Sequence, residues 1–170
     1  MDANDTTLCR CNILDQLPVS YQLFPYSFFA DFTGPVVSVL DGDTLEVLHN
    51  QHPERIRLSG IDCPEKDQAY GQKAKHAASA LTFGKGVTIQ THGHDKYTRT
   101  LGDVILRNGL NLNQELVKQG WCWWYRKYAP GDTVREGLEK NAREAKKGLW
   151  ADPQPVPPWE WRKGSKRVKE

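Results

Sequence analysis

From Thr33 to Leu106 the chain runs in short stretches of alternating apolar and polar residues, cut by turn signals at intervals of strand length. That rhythm constrains the fold most, because a period of two buries one face of a strand and does not match a helix. Val36, Val37, Val39 and Leu40 lead into Asp41-Gly42-Asp43, and Leu45 and Val47 then alternate with polar neighbours, which predicts a hairpin. Next, Ile56 and Leu58 point one way, and Arg55, Arg57 and Ser59 the other, in a strand that ends at Gly60-Ile61. From Gln68 to Thr82 the period changes, and Tyr70, Ala74, Ala77, Ala78 and Leu81 share a helical face. Gly84 and Gly86 bound a fourth strand carrying Val87 and Ile89. A polar turn through His94, Asp95, Lys96 and Tyr97 leads to a fifth around Val104, Ile105 and Leu106.

The remainder reads as helical. Asn111 caps a short helix through Leu112, Leu116 and Val117, ended by Gly120. Thr133 with Glu136 makes a capping-box pattern for a helix carrying Val134, Leu138, Ala142 and Ala145, closed by Lys146, Lys147 and Gly148. Five short strands, a helix after the third and C-terminal helices predict an α+β protein built on a five-stranded Greek-key barrel of the OB type. The stretch with Pro153, Pro155, Pro157 and Pro158 reads as an ordered exit, and residues 162–170 as a solvated basic tail.

The length of 170 residues fits one domain, and 38% hydrophobic with 26% charged residues describes a globular chain rather than a disordered one. No apolar run approaches the ~18 residues a membrane-spanning helix needs. The net charge of +2 is uneven: residues 162–170 carry +4, which leaves −2 for everything before them. A polyanionic partner therefore needs a local site together with this tail. The four cysteines make no disulfide scaffold: Cys9 and Cys11 are too close for an easy mutual bond, and Cys63 and Cys122 lie far apart in sequence. A zinc site of Cys9, Cys11, His92 and His94 has C-x-C and H-x-H spacings atypical of structural zinc. Residues 13–30 have the outline of a secretory signal, but Asp15, Gln16, Pro18, Gln22 and Pro25 interrupt its apolar core. Residues 1–32 are accordingly read as an N-terminal extension, 33–161 as the folded domain, and the compartment is left open.

There is no G-x-S-x-G, no H-E-x-x-H and no P-loop. The chain instead offers carboxylates and arginines at special places. Asp41 and Asp43 sit in a tight turn, Asp62 and Glu65 flank Cys63-Pro64 directly after a strand, and Arg57 precedes Asp62 by five residues. Each alone reads as a turn residue, a helix cap or a solvated strand position. Together they suit a hard cation and a phosphate, since carboxylate oxygens hold Ca²⁺ or Mg²⁺ and arginines grip phosphate oxygens in bidentate fashion.

The ordered set carries a resemblance. Val39-Leu40-Asp41-Gly42-Asp43-Thr44 is followed by Arg55-Ile56-Arg57-Leu58-Ser59-Gly60-Ile61-Asp62-Cys63-Pro64-Glu65. Then come Asp95-Lys96-Tyr97-Thr98-Arg99, Leu112-Asn113-Gln114-Glu115-Leu116-Val117-Lys118-Gln119-Gly120 and Lys147-Gly148-Leu149-Trp150. From about Thr33 to Trp161, some three quarters of its length, the chain resembles the thermonucleases of the staphylococcal (micrococcal) nuclease family.

The resemblance implies an OB-fold barrel and a Ca²⁺-dependent phosphodiesterase acting on DNA and RNA. It also implies a secreted or extracytoplasmic protein. By position, Asp43 and Asp62 match the carboxylate metal ligands, and Cys63 stands where the family uses a threonine's backbone carbonyl. Arg57, Glu65 and Arg99 match its catalytic residues, Lys96 and Tyr97 its contacts to the terminal phosphate, and Tyr128 one aromatic of its base pocket. Arg126 stands where many relatives have a second aromatic. Of the cluster Trp121, Trp123, Trp124, Tyr125 and Tyr128, most of the tryptophans are read as core and Tyr128 as a substrate contact. Trp150, Trp159 and Trp161 are read as packing the tail onto the body. No protein partner is evident, and a monomer is expected. A non-catalytic OB-type nucleic-acid-binding module is the rival reading. The joint presence of Asp43, Asp62, Glu65, Arg57 and Arg99 favours the enzyme, because acidic groups facing a polyanion only repel it.

Overall fold

A computed structural model of the protein describes residues 30–167. The N-terminal signal-like stretch, Cys9, Cys11 and the last three residues of the basic tail lie outside them. Five strands close a barrel: β1 (Phe32–Asp41), β2 (Thr44–His49), β3 (His52–Leu58), β5 (Gly86–His94) and β6 (Thr100–Leu106). Around the ring their order is β1-β2-β3-β6-β5, with β5 pairing back onto β1. All neighbours are antiparallel except β3 and β6, which run parallel with Ile56 opposite Thr100 and Arg57 opposite Leu101. This is the α+β barrel of the OB type that the alternation predicts. Its interior is the apolar half of that alternation: Val36, Leu45, Val47, Ile56, Leu58, Ile89 and Val104 are all buried.

Helix α1 (Gly71–Thr82) starts three residues later than the period alone suggests, and its Ala74 and Ala78 face the core. Alanine on that face lets the helix approach the β1–β2 turn. At Gly42 the fit is closer still: a Cβ there would lie 2.8 Å from the Cys63 Cβ and 2.9 Å from the Ala74 Cβ. Helix α2 (Leu112–Lys118) is capped by Asn111, whose side chain accepts from the Gln114 N–H. It buries Leu112, Leu116 and Val117. Asn113 in the same helix is fully buried, and its amide donates to the carbonyls of Ser59 (3.0 Å) and Gly102 (3.1 Å) and to Asp103 Oδ1 (2.7 Å). That amide ties α2 to the residue after β3 and to the middle of β6.

Four features depart from the sequence reading. Helix α3 (Thr133–Glu144) is capped by Asp132, one residue before the expected Thr133, because the Asp132 carboxylate accepts from the Arg135 N–H at 2.9 Å. A two-stranded ribbon, β4 (Ile61–Asp62) with β7 (Trp123–Trp124), stands beside the barrel. Its register sets Ile61 against Trp124 and Asp62 against Trp123, and so carries Cys63 onto Cys122, where a disulfide joins them. Finally, a single-turn 3₁₀ segment (Gly148–Ala151) is followed by α4 (Pro158–Arg167), so residues 162–167 of the basic tail are helical rather than loose. Proline at the first helical position costs no hydrogen bond and fits the required φ. Trp123 and Trp124 are buried and Trp121 partly so, as expected for core.

Candidate active site

The site is built where the β1–β2 turn, the end of β3 and the β4 exit meet. In the turn, the Asp43 N–H donates to Asp41 Oδ1 (3.1 Å) and the Thr44 hydroxyl to Asp43 Oδ1 (3.2 Å). From the other side, the Cys63 N–H donates to Asp43 Oδ2 at 2.8 Å. The β4 exit is thereby pinned to the turn by backbone, and the disulfide to Cys122 holds it from behind.

Arg57 lies between the two carboxylates. Its Nη1 donates to the carbonyls of Leu58 (2.8 Å) and Ile61 (3.0 Å), and its Nη2 is 3.0 Å from both Asp62 Oδ1 and Asp43 Oδ2. Asp62 is 1% exposed. Burial pushes its carboxyl above the ordinary value, hydrogen bonding from Arg162 pulls against that, and the charge of Asp43 adds to the rise. Burial, together with the charge of Asp43, likewise pushes Asp41 up to about 6. Both shifts come first from burial, which disfavours the charged carboxylate, and only second from the neighbouring charge of Asp43.

Glu65 follows on the loop leading to α1. The Glu65 N–H donates to Gln68 Oε1 (3.2 Å), and Gln68 Nε2 donates in turn to the Val156 carbonyl (2.6 Å). A Cβ on Gly71 would come 1.8 Å from the Glu65 carbonyl, so glycine is what lets this loop fold flat against the helix start. Glu65 is half-exposed, at the rim rather than the floor.

Arg162 is the residue that sequence reasoning missed. Its Nη2 lies 2.6 Å from Asp62 Oδ2, and its Nη1 2.7 Å from Glu65 Oε1 and 3.3 Å from Asp62 Oδ1. Instead of extending into solvent with the tail, this guanidinium is seated on two of the expected site carboxylates. The spacing of Trp159, Arg162 and Lys163 is that of one helix face, which signals the helix but not the carboxylates it meets.

The other expected residues form a second group. Arg99 is engaged by Asp95, with Nε at 2.7 Å from Oδ2, and its guanidinium lies 5.5 Å from the Tyr97 ring centre. Burial acts to raise the Asp95 carboxyl, but hydrogen bonds from Arg99 and Tyr97 outweigh it and hold it below the ordinary value. Arg99 directly precedes β6, two residues before Leu101, the register partner of Arg57. Tyr97 and Tyr128 are exposed, and Lys96 lies over the Tyr97 ring at 4.9 Å. Tyr128 meets Tyr125 edge to face at 4.9 Å, just beyond β7, the strand whose Trp123 is paired with Asp62. His92 lies 3.9 Å from Asp103, and the two cysteines proposed to join it at zinc lie outside the described residues.

Among the described residues no three His, Cys, Asp or Glu side chains surround a single point as a finished metal cage. The Asp43 and Asp62 carboxylates, each 3.0 Å from one Arg57 nitrogen, are hard oxygen donors of the kind a cation taking 6–8 oxygens accepts. Arg57 and Arg162 already supply positive charge there, as a cation would.

Comparison with known proteins agrees. The model of the staphylococcal nuclease homologue family matches residues 55–152. A protein described as an uncharacterized endonuclease of Escherichia coli O157:H7 is 47% identical over 133 residues, covering 78% of this chain and 86% of its own. A micrococcal nuclease of Shigella flexneri is 42% identical over 149 residues, covering 82% and 86%. Protein ParB of Escherichia coli is 40% identical over 146 residues, covering 81% and 82%. With the OB-type barrel beneath these carboxylates and arginines, and likeness of this degree over most of both chains, the protein belongs to the staphylococcal nuclease family.

Proposed function

We propose that the protein is a Ca²⁺-dependent endonuclease that hydrolyses phosphodiester bonds of DNA and RNA by attack of water. The observation that carries this reading is the convergence of Asp43 and Asp62 on one Arg57 nitrogen, with Glu65 at the rim. A phosphodiester is protected from attack by its own negative charge. Asp43, Asp62 and the Cys63 carbonyl would hold Ca²⁺, which supplies neutralising charge and a place for the attacking water. Glu65, half-exposed, accepts or orients that water's proton. Arg57 and Arg99 bind the phosphate oxygens on which charge grows, a preorganised stabilisation whose loss typically costs 10²-fold or more. Lys96 and Tyr97 reach a terminal phosphate, and Tyr128 stacks on a base.

Asp43 and Asp62 argue against a pure binding module, since they repel a polyanion unless a cation intervenes. The Cys63–Cys122 bond supports an oxidising compartment, in line with a secreted or extracytoplasmic protein. The test is cleavage of single-stranded DNA and RNA by the full chain with Ca²⁺ and with chelator. Cleavage is expected only with Ca²⁺. Full cleavage after exhaustive chelation overturns the metal assignment, and binding without cleavage overturns the enzyme.

A further inference from the structure

We propose that α4 is an autoinhibitory latch, in which Arg162 occupies the carboxylates that a divalent cation needs and must be displaced for the cation to bind. The inference rests on the cation-dependent reading above.

The helix is seated at two points. At the first, one guanidinium reaches both Asp62 oxygens and Glu65 Oε1 with contacts of 2.6 to 3.3 Å. At the second, one turn earlier, the Trp159 ring is stacked on Tyr125 at 5.1 Å with 2° between the planes and meets Trp123 edge-on at 5.6 Å. Gln68 anchors the approach to the helix by its bond to the Val156 carbonyl. Together these place a positive charge on the carboxylates and an aromatic ring on an exposed-type stacking face. A bound cation and a nucleobase would claim the same features.

The arrangement is exchangeable. Asp62 Oδ1 is shared with Arg57, whereas Oδ2 is engaged by Arg162, so coordination through Oδ2 competes with that one side chain. The Arg162 side chain is 41% exposed, so water can take up the guanidinium if a divalent charge displaces it, although Asp62 and Glu65 together hold it firmly in its charged form. Alongside Trp159, Glu160 and Lys163, the walls Trp123, Trp124, Tyr125 and Arg126 enclose a cleft of about 400 Å³, so part of what the helix covers is already open to solvent.

A latched site lowers apparent cation affinity by the fraction of molecules that are open. For one bidentate, half-exposed arginine the expected factor is about fivefold. The experiment is calorimetric titration of Ca²⁺ into the metal-free full chain, without nucleic acid, for the wild type, Arg162→Ala and Arg162→Gln. Both variants are expected to bind Ca²⁺ about fivefold more tightly. In the wild type, saturating Ca²⁺ is expected to speed amide exchange across residues 158–164 relative to chelator. Equal or weaker Ca²⁺ binding by both variants, or exchange over 158–164 that Ca²⁺ leaves unchanged, overturns the latch alone. Absence of Ca²⁺ binding in the wild type and both variants overturns the cation reading and the latch with it.

Discussion

At the scale of residues, Arg57 shows how much one planar group can hold. It meets two backbone carbonyls and two carboxylates at once, all within 3.0 Å, which a single ammonium on a flexible stem cannot reproduce. Arg57→Lys is expected to lower turnover about 100-fold, or about 2.7 kcal/mol, while substrate affinity moves far less. Single-turnover cleavage at saturating Ca²⁺, beside substrate binding in a non-hydrolysing metal, separates the two effects. A lysine variant that cleaves at the wild-type rate would reduce Arg57 to a steering charge. Asp43, Arg57 and Asp62 could be read from the sequence because strand parity and one tight turn bring them together within a short stretch. Arg162 could not be placed that way: one hundred residues separate it from Asp62, and a basic run near a terminus looks alike whether it is paired or solvated.

At the scale of elements, α3 shows why a cap is legible only approximately. Asp132 and Thr133 are adjacent and both can cap; the carboxylate prevails because it also pairs with the Arg135 guanidinium, which in turn reaches Asp103 at 2.9 Å. Burial acts to raise the Asp132 carboxyl, but hydrogen bonds and the charge of Arg135 outweigh it and hold it below its ordinary 3.8. The folded state therefore favours the ionised form. The resulting stability is fully present above the ordinary value and is lost as pH falls through the lower, folded one. Asp132→Asn keeps a capping oxygen but not the charge, so it is expected to cost about 1 kcal/mol at pH 7. Denaturant titrations should show that difference shrinking as pH drops below about 4; a gap that stays constant with pH would remove charge from the explanation. The β4–β7 ribbon, by contrast, was illegible, because two residues per strand carry no period to detect.

At the scale of the whole molecule, the unforeseen ribbon explains the unforeseen disulfide. The cysteines are 59 residues apart in sequence, and only the register of Ile61 with Trp124 and Asp62 with Trp123 brings them face to face. Closing a loop of that length restricts the unfolded chain by about 4 kcal/mol in the chain-entropy account. Unfolding in a dithiol reductant is expected to shift the denaturant midpoint down by a corresponding amount, and a midpoint unmoved by reduction would contradict the bond.

The barrel's closure has a further consequence for how copies of this protein meet one another. Each of its five strands has a partner on both sides, so no strand of the ring is an edge strand, and the thinnest seam is the three-residue pairing of β3 with β6. Mutual repulsion does little to keep molecules dispersed when the net charge is only +2. Within the barrel, the lack of an edge strand is thus what opposes strand-by-strand association, and not mutual charge repulsion.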